Sequence, residues 1–245
     1  MTRSRPVEGE QAVQHTLHSN NVPVIQQQRV IVQNKHGEGL VGILHETGCE
    51  ELVILCHGFG SSKERKPMAN LAAALEKQGI SAFHFDFAGN GESEGSFQYG
   101  NYRREAEDLR AVVLYFRGEK RMITAIIGHS KGKFEFRVTK ESLMERLTTD
   151  SPAACQLIRK ECRVLTVHGS KDESVPVEDA FAFSKIIPNH RLHIVEGADH
   201  EYTSHQDVLA AIVLDFIRAD PNLDKRMPQQ IGICSKADNS THSRL

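Results

Sequence analysis

Residues 122–132 read MITAIIGHSKG, a β-prone apolar run followed by the pattern G-x-S-x-G. The run from Met122 to Ile127 predicts a central strand, with Ser130 at its carboxyl end. A serine hydroxyl is a poor nucleophile at neutral pH, so it needs a nearby base and a tight turn that exposes its oxygen. Gly128 and Gly132 favour such a turn, because larger side chains would clash with the neighbouring strand and helix. Ser130 is therefore a candidate nucleophile, and an ordinary turn serine is the alternative.

A candidate acid follows a later strand end. Asp172 comes after the predicted strand from Val164 to Gly169. A carboxylate there can accept the second ring proton of a catalytic histidine and stabilise the imidazolium that forms. Glu173 is the alternative acid. A helix cap or a solvated loop acid is the non-catalytic interpretation, which suits Asp179 or Asp199 better than Asp172.

The candidate base is His200. The chain contains 13 histidines, so position has to select among them. His193 lies within a predicted strand and His168 at a strand end, where packing explains them, and His205 begins the last predicted helix. His200 alone stands between the last central strand and that helix, where a base can reach a strand-end nucleophile.

The rest of the chain alternates strands and helices. Predicted strands cover 29–33, 40–45, 52–56, 80–86 and 191–195, and predicted amphipathic helices cover 67–78, 102–116, 178–186 and 206–218. Residues 29–33 and 40–45 form an antiparallel hairpin at a sheet edge. The alternation predicts an α/β fold, with a mostly parallel central sheet and helices on both faces.

Three segments differ in composition. Residues 1–22 are polar and aperiodic and predict a disordered arm, and residues 221–245 predict a disordered tail. Residues 23–220 are long enough for one domain with a full core. The tail ends in Ser243-Arg244-Leu245, which is close to the Ser-Lys-Leu peroxisomal signal. We expect a cytoplasmic protein, with the peroxisome as the alternative.

Charge and composition argue against several function classes. The net charge is −2 and the basic residues are scattered, so neither nucleic acid nor an anionic membrane is an expected partner. The sequence has no apolar run of about 18 residues and no secretory signal, which predicts a soluble protein that is not exported. Five cysteines without a C-x-x-C pair argue against a disulfide framework and a zinc knuckle, and fit a reducing compartment.

The order Ser130, Asp172, His200 around G-x-S-x-G resembles the α/β-hydrolase superfamily, from about Gln28 to Arg218. Within it, the chain is most similar to the serine-aminopeptidase-like and cinnamoyl-esterase-like hydrolases of plants and bacteria. The resemblance rests on five stretches, which are His57 to Gly60, Asp86 to Ser93, Gly128 to Gly132, Asp172 and His200. It implies hydrolysis of a small-molecule carboxylic ester, or less readily of a thioester or amide, through an acyl-serine intermediate. It implies no metal and no organic cofactor.

The resemblance also assigns roles to two loops. It implies that the backbone N–H groups of Phe59 and Lys131 form the oxyanion hole, and that His57 shapes the loop instead of acting as a base. Residues 86–93 resemble the family's D-x-x-G-x-G-x-S loop. That loop lacks the G-K-S/T ending of a phosphate loop, so a scaffold role is the better interpretation.

The chain departs from the family after Ser130. Family members continue with a helix, another central strand and an insertion that covers the site. Here residues 133–138 alternate with period two, which is typical of an exposed strand, and residues 139–159 have a helical pattern. Only the 32 residues from 131 to 162 precede the next central strand, and one βαβ unit already takes about 30 residues.

The sequence therefore predicts an α/β-hydrolase fold shortened by one strand and most of the lid. Loss of a strand would displace the Asp172 loop by ~4.8 Å unless the sheet closes the gap. Two functions stay open. One is a serine esterase with an open site, and the other is a catalytically impaired truncated isoform that binds a partner without turnover or is inert.

Overall fold

The computed structural model describes residues 26–130 and 150–219. The predicted arm at 1–22, the predicted tail at 221–245 and the segment after Ser130, which includes Lys131 and Gly132, lie outside these residues. None of the helices in the described residues is long and apolar enough to cross a membrane.

The described residues contain seven strands and five helices. The strands are β1 (Gln26–Gln33), β2 (Gly39–Glu46), β3 (Glu51–Cys56), β4 (Ser81–Phe85), β5 (Met122–Gly128), β6 (Val164–Gly169) and β7 (His190–Val195). The helices are α1 (Met68–Lys77), α2 (Tyr102–Gly118), α3 (Ser151–Gln156), α4 (Val177–Ile186) and α5 (Gln206–Arg218). Every strand predicted in this part of the chain is present, and so are the four amphipathic helices. Of the helical pattern predicted at 139–159, the described residues contain the short helix α3.

The strands form two sheets. The larger has the order β1-β2-β4-β3-β5, and β6 pairs with β7 in the smaller. The predicted hairpin is present as the antiparallel pair of β1 and β2. β3 runs parallel to β4 and β5, and β6 runs parallel to β7. The predicted α/β class is confirmed, with the sheet divided at the place where the sequence predicts the loss of a strand.

Two apolar layers cover the faces of the larger sheet. Val53 and Leu55 of β3 face one layer, which contains buried residues of α1 and α5, and Leu52 and Ile54 face the other, which contains buried residues of α2. Successive strand residues point to opposite faces, so a continuous apolar run such as β3 is buried on both sides. This arrangement places helices on both faces, as the sequence predicts.

A cavity of about 580 Å³ lies between β5 and β6. β5, β6, α1 and α5 line it, with Met68, Leu71, Leu209 and Val213 among the apolar side chains. Within residues 26–130 and 150–219, no ladder joins β5 to β6. Ile126 of β5, which lines this cavity, is 53% exposed, whereas the residues of β3 are buried.

The glycine-rich loop after β4 is built around the buried carboxylate of Asp86. One carboxylate oxygen accepts the backbone N–H of Lys63 at 2.6 Å, and the other accepts the Lys63 ammonium at 2.8 Å and the backbone N–H of Glu92 at 3.0 Å. Gly91 adopts a positive φ of 50°, and a Cβ there would lie 2.2 Å from the carboxylate. Ser93 closes the loop by donating its hydroxyl to the Asp86 carbonyl at 2.7 Å. These contacts agree with a scaffold role for the loop.

We expect Asp86→Ala to lower the free energy of unfolding by about 3–5 kcal/mol, because it leaves the Lys63 ammonium buried without its main partner. Urea denaturation followed by circular dichroism measures the change. Glu92→Gln is the matched control: its side chain also contacts Lys63 but is 54% exposed, so its loss should cost less than about 1 kcal/mol. Equal losses in the two variants would contradict the role given to Asp86.

Candidate active site

Ser130 lies two residues beyond the end of β5. The last residue of β5, Gly128, pairs with Cys56 at the end of β3, and the backbone N–H of His129 extends the ladder by donating to the Cys56 carbonyl at 3.1 Å. The backbone N–H of Phe59 then donates to the Ser130 carbonyl at 2.9 Å. The turn that carries Ser130 is therefore held against the loop that follows β3.

Asp172 and His200 meet at the carboxyl ends of β6 and β7. One carboxylate oxygen of Asp172 accepts the backbone N–H groups of Ser174 and Val175, each at 2.8 Å. The other oxygen accepts Nδ1–H of His200 at 2.8 Å. Because Nδ1 donates to a carboxylate, the proton of the neutral imidazole sits on Nδ1, and Nε2 keeps a lone pair that can accept a proton. Both side chains are largely buried, with exposures of 7% and 12%.

The environment of Asp172 favours its ionised form. Burial alone would raise the pKa of this carboxyl, but the hydrogen bond from His200 and the two from the backbone outweigh it and hold the pKa below its usual value. Asp172 is thus a carboxylate at neutral pH, as an acid partner that stabilises an imidazolium must be.

The loops that carry the two residues are bonded to each other. The backbone N–H of Lys171 donates to the Ala198 carbonyl at 3.0 Å, and that of Gly197 donates to the Ser170 hydroxyl at 2.8 Å. Gly169 allows this approach, because a Cβ there would lie 2.3 Å from the Ala198 carbonyl oxygen. The Asp172–His200 pair is therefore one structural unit.

His129 is a site residue that the sequence analysis did not single out. Its Nε2–H donates to the His200 carbonyl at 3.1 Å, and the centroids of the two rings are 5.1 Å apart. Burial lowers the pKa of His129 below its usual value, so the ring is neutral at pH 7. Its position directly before Ser130 in G-x-S-x-G was the available signal.

The two glycines of the nucleophile turn remain a prediction. None of the described residues has an atom within 4 Å of a Cβ at Gly128, and the segment expected to form the neighbouring helix lies outside the described residues. Gly132 lies outside the described residues. In the part of the chain that the structure describes, Nε2 of His200 receives no hydrogen bond from the Ser130 hydroxyl. Such bonds are often formed only when substrate is bound.

The loop after β3 carries Phe59, one of the two residues whose N–H groups the resemblance implies as oxyanion donors. The N–H of Phe59 points at the Ser130 carbonyl, and Phe59 itself is buried against Phe97 and Tyr99. The other donor, the N–H of Lys131, lies outside the described residues. His57 accepts the backbone N–H of Phe87 at 3.1 Å and donates to the Gly58 carbonyl at 2.7 Å. Both of its ring nitrogens thus hold backbone groups, which fits a loop-shaping role.

One group of side chains here has the composition of a metal site. A ring nitrogen of His129, a ring nitrogen of His200 and a carboxylate oxygen of Glu201 all lie within 4.8 Å of one another. His129 and His200 are half-buried, and Glu201 is exposed.

Gly58 lies where the loop after β3 comes close to the turn that carries Ser130. A Cβ at Gly58 would stand 2.4 Å from the Ser130 carbonyl oxygen, which is backbone and cannot move alone. We expect Gly58→Ala to destabilise the protein by about 1–3 kcal/mol in urea denaturation, because the loop must shift to relieve the clash. Gly118→Ala is the matched control: no atom of the described residues lies within 4 Å of its Cβ, so this variant should be neutral or slightly stabilising. Similar losses in both variants would contradict the close approach.

The lowered pKa of Asp172 predicts a pH-dependent contribution to stability. The charged form is favoured by folding, so its contribution is complete above the unfolded pKa of about 3.9 and is lost as pH falls through the lower folded pKa. We expect wild type to be more stable than Asp172→Asn at about pH 6, and the difference to shrink toward about pH 2. Urea denaturation at stepped pH measures it. A difference that stays constant or grows as pH falls would contradict the assignment.

Comparison with known proteins is consistent with this architecture. Residues 48–134 match the family model described as serine aminopeptidase, S33. No curated protein sequence matches the chain. Est1E from Butyrivibrio proteoclasticus, solved with ferulic acid bound, has a TM-score of 0.67 and 20% identity, covering 77% of this chain and 98% of that one. Esterase Pf2001 from Pyrococcus furiosus has a TM-score of 0.66 and 19% identity, covering 86% and 98%.

A third structure, a predicted CIB-like hydrolase from Thermoplasma acidophilum, has a TM-score of 0.62 and 24% identity, covering 79% of this chain and 99% of that one. At these identities the likeness concerns the fold. The family match spans the loop after β3, the glycine-rich loop and the turn at Ser130, but it ends before Asp172 and His200. The chain thus has the α/β-hydrolase fold, and over residues 48–134 it is similar to the serine aminopeptidase family S33.

Proposed function

We propose that the chain is a serine hydrolase that cleaves carboxylic esters, with Ser130 as nucleophile, His200 as base and Asp172 as its acid partner. The observation that carries the proposal is the hydrogen bond of 2.8 Å between His200 and Asp172 at adjacent strand ends. A buried carboxylate that holds a histidine in one tautomer is what general-base catalysis by that histidine requires. The contact of His129 with His200 puts the turn of Ser130 beside this pair.

In the proposed reaction the Ser130 oxygen attacks the ester carbonyl while Nε2 of His200 takes the hydroxyl proton. The imidazolium that forms is stabilised by the Asp172 carboxylate. The tetrahedral intermediate collapses as its C–O bond to the alcohol breaks, and His200 returns the proton to the departing alkoxide. Water, deprotonated by His200, then attacks the acyl-serine. The bond between the acyl carbon and the Ser130 oxygen breaks, the Ser130 oxygen takes the proton back from His200, and the carboxylic acid is released. His200 takes up and returns each proton that moves, so the reaction needs no cofactor.

The backbone N–H of Phe59 would change its hydrogen-bond acceptor during the reaction, from the Ser130 carbonyl to the oxyanion of the intermediate. In the free protein this N–H is bonded to the neutral carbonyl of Ser130 at 2.9 Å. A bond to a charged oxyanion is about twice as strong as a bond to a neutral carbonyl. Replacing one acceptor by the other therefore favours the tetrahedral intermediate over the ester itself, and such differential binding accelerates reaction.

The proposed substrate class is aromatic carboxylic esters. Phe59 stacks edge to face with Phe97 and Tyr99, at centroid distances of 5.5 and 5.2 Å, and Phe97 is 40% exposed beside the loop that holds the oxyanion donor. An aromatic acyl group can pack against such edges. The similarity in fold to Est1E, which was solved with ferulic acid, supports testing hydroxycinnamoyl esters first.

The second candidate is a protein that binds without turnover. The division between β5 and β6 favours it, because Ser130 stands on one sheet and the acid–base pair on the other. Triad hydrogen bonds require heavy-atom distances of about 2.6–3.2 Å, so a small displacement of one sheet would abolish catalysis while leaving a binding pocket.

Labelling by a fluorophosphonate probe, which reacts with activated serines, separates the two candidates. We expect wild type to be labelled and to hydrolyse methyl ferulate, and Ser130→Ala and His200→Ala to lose labelling and at least about 10³-fold in hydrolysis, because each removes a reacting group. The matched controls are Ser184→Ala on α4 and His193→Ala on β7, which should retain both. A folded, monodisperse wild type that is not labelled would overturn the proposal in favour of the binding protein.

A further inference from the structure

We infer that His129, His200 and Glu201 form a zinc-binding site at the mouth of the candidate active site. The ligand atoms of the three side chains lie within 4.8 Å of one another. They come from two parts of the fold, since His129 follows β5 of the larger sheet and the other two residues follow β7 of the smaller sheet. Two imidazoles and a carboxylate are the protein ligands of many zinc sites that keep one position open.

Each imidazole already uses one ring nitrogen in a hydrogen bond of the kind that metal-ligating histidines make. A ligating histidine almost always donates its other ring N–H to a carboxylate or a backbone carbonyl, which fixes its tautomer. His200 donates Nδ1–H to Asp172 at 2.8 Å, and His129 donates Nε2–H to the His200 carbonyl at 3.1 Å. Each ring is thereby left with one unprotonated nitrogen, which is the form that binds a metal.

The third ligand can complete the site by moving. Zinc binds nitrogen and oxygen at 2.0–2.2 Å, so two ligands of a tetrahedral site stand about 3.4 Å apart. Glu201 is exposed, so its side chain is free to turn toward the two rings. Imidazole ligands favour zinc over magnesium or calcium, which prefer sites made of oxygen atoms alone.

Bound zinc would oppose the proposed ester hydrolysis. The nitrogen lone pair of His200 that would accept the Ser130 proton is the one that a metal would take, so the two uses exclude each other. This consequence rests on the proposed function, whereas metal binding itself does not. Zinc would thus act as a reversible inhibitor that competes for the base.

Isothermal titration of the metal-free full-length chain with zinc chloride tests binding directly. We expect one zinc ion per chain, with affinity reduced about tenfold or more in Glu201→Gln and in His129→Gln, which remove ligands. Asp172→Asn should weaken binding about 10–100-fold by releasing the His200 ring. The matched control is Glu178→Gln, an exposed acid on α4, which should bind as wild type does. Magnesium chloride should give no saturable heat.

The variants are needed because imidazoles and thiols in general bind zinc, so stoichiometry alone does not identify the site. Equal affinity in wild type and Glu201→Gln, or no saturable binding at millimolar zinc, would overturn the inference. Glu201 is exposed, so this comparison does not depend on a buried substitution. Ser130→Ala should bind zinc as tightly as wild type, which separates metal binding from catalysis.

Fluorophosphonate labelling in the presence of zinc provides the functional readout. The zinc concentration that halves the labelling rate should rise about tenfold or more in Glu201→Gln, with each protein normalised to its own rate without zinc. Zinc binding with no labelling in its absence would remove the proposed hydrolase and leave the metal site standing. Labelling that zinc does not slow at saturation would overturn the placement of the metal on His200.

Discussion

The relative position of the two sheets depends on one apolar layer between α1 and α5. Buried residues of both helices pack in a single cluster with side chains of β3, and Asn70 donates to Gln206 at 3.0 Å across the same boundary. No backbone ladder joins β5 to β6 in the described residues. Side-chain packing therefore holds the two sheets together there, whereas hydrogen bonds join the strands within each sheet. The distance from the nucleophile turn to the acid–base pair is set by this layer and by the bond of His129 to the His200 carbonyl.

Buried carboxylates form a second, polar framework. Asp86 accepts hydrogen bonds from the backbone N–H groups of Lys63 and Glu92, and Asp108 accepts one from that of Ala88. Asp172 accepts hydrogen bonds from the backbone N–H groups of Ser174 and Val175. Hydrogen bonds to a charged acceptor contribute about 1.5–3 kcal/mol each, more than bonds between neutral groups. Each of these loops thus keeps a defined shape without belonging to a helix or strand. The same device that stiffens the scaffold at Asp86 orients the proposed base at Asp172.

Local patterns in the sequence were sufficient to predict most elements and the pairing of Asp172 with His200. Helices such as Gln206–Arg218 and strands such as Val164–Gly169 carry their own periodicity, and parallel strands bring their carboxyl ends to one edge. The number of residues after Ser130 also predicted a shortened sheet, and no ladder joins β5 to β6 in the described residues. The engagement of the Phe59 amide and the contact of His129 with His200 were not predictable, because each depends on how two separate loops pack.

The division of the sheet changes what a ligand does to the molecule. In an unbroken sheet a bound molecule touches one rigid body, but here an ester, an acyl group or a metal ion held by both His129 and His200 would connect two bodies. Such a ligand adds a link between the two sheets that no backbone ladder of the described residues supplies. Its binding free energy then includes the entropy that the two sheets lose relative to each other as well as its own contacts, so its affinity also depends on how firmly the apolar layer holds the sheets together.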